Sequence, residues 1–146
     1  MKMKDSVLQR IVLSISVPAI FAIAFVQVSC DTTQRMLSGA GVPASQGTVT
    51  FGAVDNGNTD VTVRVKHLAP PSKIASDATT YVVWIQPSNG AKQNVGALAL
   101  NDNLEGKLDT VTPHRRFLLT VTPEPGGRVG NPTHAPVFAS WVERPE

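Results

Sequence analysis

Cysteine is almost absent from this chain, Cys30 being the only one in 146 residues. A lone cysteine closes no internal disulfide. The three histidines, His67, His114 and His134, show no pairing at strand or helix spacing, so no metal site is expected from them. Charged residues make up only 16% of the chain, and 13 Lys+Arg against 11 Asp+Glu leave a net charge of +2. That balance argues against a phosphate-neutralising surface, so no nucleic-acid partner is expected. Aromatics are scarce at 5%, and no segment of useful length after the first thirty residues has helical periodicity. The length suits one domain. With 42% hydrophobic residues the chain can bury a core, so wholesale disorder is excluded.

The small net charge is local. Lys2, Lys4 and Arg10 against Asp5 give +2 over the first ten residues, while ten basic and ten acidic residues cancel between Cys30 and Glu146. Next to this basic start, Ile11–Ser29 runs for 19 residues without a charge. A basic start, an apolar middle and a small residue before a cleavage point describe an export signal.

The junction Val28-Ser29-Cys30 resembles the lipobox of bacterial lipoprotein precursors, with Gln27 standing where that family usually has an aliphatic residue. The resemblance implies cleavage before Cys30, acylation of its thiol by fatty acids such as palmitate, and acylation of the new N-terminus. Two other outcomes fit the same residues: an uncleaved anchor, since the apolar run approaches the ~20 residues of a bilayer span, and a cleaved leader with a plain thiol. All three put the folded part outside the cytoplasm, in the cell envelope. The expected organisation is a signal peptide over 1–29, a lipidated N-terminus and flexible linker over 30–46, and a β-sandwich over 47–146. The stretch 31–46, rich in Gly, Ser, Thr and Ala, reads as a spacer reaching about 20–25 Å.

From Gly47 onward, short strands alternate with turn signals. GTVTFGAV (47–54) and DVTVRVKHL (60–68) flank Asn56-Gly57, a strong hairpin signal. TTYVVWIQ (79–86) is apolar on both faces, as in a central strand with both sides covered. VGALAL (95–100), KLDTVT (107–112), RFLLTVTP (116–123) and APVFASWVE (135–143) complete about seven strands. The predicted class is all-β, a single immunoglobulin-like sandwich, with Trp84 and Trp141 as core anchors.

A search for chemistry finds little. DNGNTD (55–60) and NDNLEG (101–106) are rich in oxygen but match no EF-hand loop, and they read as turns. No nucleophile elbow or phosphate-cradling loop is present, so no catalytic residue and no cofactor are expected. Arg115-Arg116 reads as a solvated strand edge. The loop PEPGGRVGNPTHAP (123–136) is long for a small sandwich. It reads either as a partner-contact loop presenting Arg128 and His134 or as a disordered connection.

Tyr81-Val82-Val83-Trp84, Gly96 and the run Leu119 to Gly127 (LTVTPEPGG) resemble the extracytoplasmic domain of anti-sigma-K-type factors over residues 47–142. The resemblance implies a sandwich fold and an outward location. Only ten residues precede the apolar stretch, too few for that family's sigma-binding segment, so sigma sequestration is not implied. The leading expectation is an exported lipoprotein acting as a non-enzymatic binding or structural module, tethered to a membrane through Cys30. An accessory subunit docking an envelope signalling protein is the alternative, and an envelope enzyme without a recognisable motif is third.

Overall fold

The computed structural model describes residues 30–145. The expected signal peptide, with its apolar stretch and cleavage site, falls on residues 1–29 and lies outside the described residues. The elements are β1 (Thr32–Arg35), β2 (Leu37–Ser38), β3 (Gln46–Ala53), β4 (Thr59–Lys66), a helical turn α1 (Pro71–Ile74), β5 (Thr80–Pro87), β6 (Gln93–Leu98), β7 (Gly106–Thr112), β8 (Arg116–Glu124) and β9 (Phe138–Glu143). Two antiparallel sheets result, in the orders β1-β3-β4-β7 and β2-β9-β8-β5-β6.

The seven strands β3 to β9 make the expected immunoglobulin-like sandwich. In immunoglobulin lettering they are A, B, C, C′, E, F and G, in sheets ABE and C′CFG. The fourth strand joins the CFG sheet as C′, rather than pairing beside E as D does in constant-type domains. Period-two alternation drives the packing. Val49 and Phe51 of β3, Val61, Val63 and Val65 of β4, and Phe117, Leu119 and Val121 of β8 all point into one core. The hairpin between β3 and β4 closes where Gly57 takes φ 80° and Asn56 Oδ1 accepts the Asn58 N–H at 3.2 Å.

Two strands were not anticipated. Residues 31–46, expected as a flexible spacer, belong to the sandwich instead: β1 pairs with β3 from Thr32↔Phe51 to Arg35↔Thr48, and β2 pairs with β9. Their polar sequence hides this because only Met36 and Val42 reach the core. Gly47 makes room for Met36, since a Cβ there would lie 2.6 Å from Met36 Cε and 2.9 Å from Phe138 Cδ1. At Met36 the chain passes from one sheet to the other, which breaks any period the eye would follow.

β5 has both faces covered, as its sequence indicates. Tyr81, Val83 and Ile85 enter the core, while Val82 and Trp84 are buried on the opposite side of the sheet. Of the two expected anchors, Trp84 is buried and Trp141 is not. Trp84 is buried, but on the outer face, because the register of β5 turns it away from the other sheet. Trp141 anchors nothing inside: it is 61% exposed, since Phe138, Ser140 and Val142 take the inward positions of β9.

Candidate functional site

Cys30 is exposed and stands two residues ahead of β1. Because β1 runs antiparallel to β3, Cys30 lies at the end of the sandwich where β3 and β9 finish and β8 begins. Asp31 sits against Gly52, where a Cβ would come 2.2 Å from its Oδ1. The chain is thus held to the sheet from its second described residue onward. Gln34 of β1 reaches across to β9, where its Nε2 donates to Ser140 Oγ at 2.7 Å and to the Trp141 carbonyl. This bond closes one side of the sandwich and places Cys30 and Trp141 on the same corner.

The corner brings arginines and apolar surface together. A groove of about 700 Å³ is lined by Arg115, Arg116 and Arg144 against the single acid Glu143, with Thr32 and Phe51 at its wall. Arg116 pairs with Glu143 across β8 and β9. Arg144 donates to neutral acceptors, Thr59 Oγ1 at 3.0 Å and the Gly57 carbonyl at 2.8 Å, bracing the hairpin. The solvated strand edge expected for Arg115-Arg116 is not observed, because β8 has β5 and β9 on either side. Beside the groove, Trp141 and Leu37 (78% exposed) stand open to solvent, with Ala139 between them in the β2–β9 register.

The long loop after β8 forms a second feature. Residues 125–136 lie as a strap over the outer face of the five-stranded sheet. Asn94 Nδ2 of β6 donates to the carbonyls of Gly127 and Val129, each at 3.0 Å, and Thr79 Oγ1 donates to the Pro125 carbonyl at 2.8 Å. Gly127 lies so close to β6 that a Cβ would meet that of Ala97 at 3.0 Å. Beneath the strap runs a polar chain. Trp84 Nε1 donates to Thr122 Oγ1 at 2.7 Å, which donates to Glu124 Oε1 at 2.6 Å. The Glu124 side chain, fully buried, also accepts the Thr133 backbone N–H at 3.1 Å and the Thr133 hydroxyl. Thr133 Oγ1 lies 2.9 Å from His134 Nδ1, and His134 Nε2 lies 3.0 Å from Asp77 Oδ1.

Of the two loop residues named from sequence, Arg128 is exposed on this strap and His134 is half-buried and engaged with Asp77. Glu124 stands in the run Leu119 to Gly127 that carries the resemblance, but the sequence assigns it no site role; its further signal is an acid at an outward position of a strand whose neighbours Thr120 and Thr122 face the same way. Of the residues that carry the resemblance, Trp84, Glu124 and Gly127 gather around this strap, whereas Tyr81 and Gly96 face the core. Gly96 takes φ 144°, and the space it leaves is filled by Leu108, whose Cδ1 would be 3.1 Å from a Cβ there.

A hydroxyl, an imidazole and a carboxylate in series can activate a nucleophile, but only when the imidazole accepts the hydroxyl proton. Here the Thr133 hydroxyl donates to Glu124 rather than to His134. The arrangement fastens a loop.

His67 and His114 lie at opposite ends of the sandwich, following β4 and preceding β8. Among the described residues, no three His, Cys, Asp or Glu side chains are grouped to hold a metal ion. The two oxygen-rich segments are turns, Asn101 Oδ1 accepting the backbone N–H of Asn103 and of Glu105 at 3.0 Å each. At the seam between β6 and β7, a cleft of about 570 Å³ carries Arg64, Lys66 and Lys107, of which Lys66 faces Glu105 at 3.9 Å and Lys107 faces Asp109 at 2.6 Å. Hydrogen bonds from Lys107 and Thr62 hold the Asp109 carboxyl below its ordinary pKa. Tyr81, whose hydroxyl donates to the Ala69 carbonyl at 2.7 Å, has its pKa pushed up to about 12 by burial. No protein-family model matches the chain, and no curated protein matches it. Among the described residues, no helix is long and apolar enough to cross a membrane.

Proposed function

We propose that the chain is an exported lipoprotein, cleaved before Cys30 and acylated on it, whose sandwich serves as a non-enzymatic binding or structural module in the cell envelope. The observation that carries this reading is the position of Cys30. Its thiol is exposed, outside the core, and joined directly to the uncharged run Ile11–Ser29. A core cysteine is withdrawn from reagents and usually acts as a small hydrophobe. This one is accessible to an acylating enzyme without disturbing any packing. Acylation at both the thiol and the new N-terminus would supply the two or more chains that stable attachment requires.

The strap supports a binding or structural role in preference to an enzymatic one. Its hydroxyl–imidazole–carboxylate series is spent on holding Glu124 and Asp77, as the direction of the Thr133 hydrogen bond requires. Cys30→Ala in the full chain, expressed in a bacterium fed a labelled fatty acid, tests the reading. The wild type should take up label and shorten by the leader, whereas the variant should stay long and unlabelled. Normal shortening and release of the variant would overturn the proposal.

A further inference from the structure

We infer that the corner of the sandwich carrying Cys30, Trp141 and the arginine groove lies against the bilayer surface, with the domain held down on the membrane rather than held off it. This rests on the reading that Cys30 carries the membrane attachment. It adds the orientation of the domain and the surface that meets the lipid.

Three observations converge on that corner. The first is reach. Only Asp31 separates Cys30 from β1, and Asp31 is itself packed against Gly52. Two residues span at most about 7 Å, so acyl chains on Cys30 keep this end of the sandwich within the headgroup layer. An uncleaved apolar run, ending at Ser29, would impose the same limit.

The second observation is the exposed Trp141, with Leu37 beside it on the β2–β9 side. Tryptophan settles at the membrane–water interface because its ring is apolar and its N–H seeks a polar partner. The contrast with Trp84 is chemical: Trp84 has its N–H bonded to Thr122 under the strap, whereas Trp141 stands in solvent, on a strand that ends two residues later at the Cys30 end. The third is the set of arginines. Arg115, Arg116 and Arg144 line the groove, and guanidinium groups suit headgroup phosphates. Glu143, Asp31 and Asp55 lie at the same end and balance the three arginines, so no preference for anionic lipid is expected.

The test uses the full chain, purified from its expressing bacterium with the label on Cys30 measured first, then reconstituted in phosphatidylcholine vesicles with or without phosphatidylglycerol. Part of the lipid carries bromine near the top of its acyl chains, where it quenches tryptophan at the interface. Of the two tryptophans only Trp141 should be reached, so about half of the emission is lost. Trp141→Phe, which alters no buried contact, should abolish the quenching. The double variant Arg115→Gln with Arg116→Gln leaves the corner net negative and should reduce the quenching in phosphatidylglycerol vesicles more than in phosphatidylcholine alone.

Labelled protein whose Trp141 is unquenched overturns the docked orientation and leaves the lipoprotein reading standing. Unlabelled protein that is quenched overturns lipidation and supports the docked corner. Trp141 shielded from aqueous quencher yet untouched by brominated lipid means a protein covers the corner, and that also overturns the inference.

Discussion

Trp84 and Trp141 lie on the same outer face of one sheet, opposite Thr120 and Leu118 of the intervening strand β8. One is fully buried with its N–H bonded, while the other is 61% exposed. Residue type does not separate them. Position does in part: β5 is flanked by β8 and β6, while β9 beside Trp141 has only β8, since β2 pairs no further than Leu37↔Ala139. The strap adds to this: residues 125–136 cross the β5–β6 half of the face and leave the β9 half uncovered. Burial on this side is therefore completed by a segment without regular structure, held by Asn94, Thr79 and Glu124. The closed half reads as architecture, and the open half is available to something outside the chain.

The largest test of that contrast is a pair of truncations. Trp84→Ala should lower the unfolding free energy by about 3–5 kcal/mol in urea titration, against a change within about 0.5 kcal/mol for Trp141→Ala. Equal effects would break the comparison. Next comes Glu124→Ala, which leaves the Thr133 N–H without its acceptor and cuts the link to Thr122. A loss of about 2–3 kcal/mol is expected, with faster hydrogen exchange in residues 125–136 than elsewhere.

Tyr81 gives a pH test on the core side of the same strand. Burial pushes its pKa in the folded state up to about 12, above the ordinary value of 10.0, so the neutral hydroxyl is favoured by folding. The associated stability is complete below pH 10 and is lost as pH rises towards 12. Because Tyr81 is the only tyrosine, the ultraviolet absorbance of tyrosinate reports it directly, and a midpoint at the ordinary value would show the hydroxyl open to water. The smallest effects belong to the strap's surface. His134→Ala should cost at most about 1 kcal/mol, since its Asp77 partner is mostly exposed, and Arg128→Ala should be neutral within about 0.5 kcal/mol by thermal unfolding.

The strands β3 to β9 were legible because alternating valines, a doubly apolar segment at β5 and an Asn-Gly turn are local signals. β1 and β2 were not. Their pairing is carried by backbone hydrogen bonds to β3 and β9 and by a vacancy at Gly47, and neither leaves a trace in their own residues. The strap was visible as a long proline- and glycine-rich loop, but its anchors, Asn94 and Glu124, lie on other strands. For the same reason Cys30 was evident as a candidate from its apolar leader, whereas its place at the end of the sandwich where β9 finishes and β8 begins was not.

By itself, then, the sequence determined the class of fold, the faces of most strands and the singling out of Cys30, because these depend on neighbours within a few residues. Only the tertiary structure decided that the expected spacer is sheet, that Trp84 is covered from outside, and that Trp141, the arginines and Cys30 share one corner. Those facts depend on which strands lie side by side. That choice is made by burial summed over both sheets, with contacts such as Met36 over Gly47 and Leu108 over Gly96 joining residues distant along the chain.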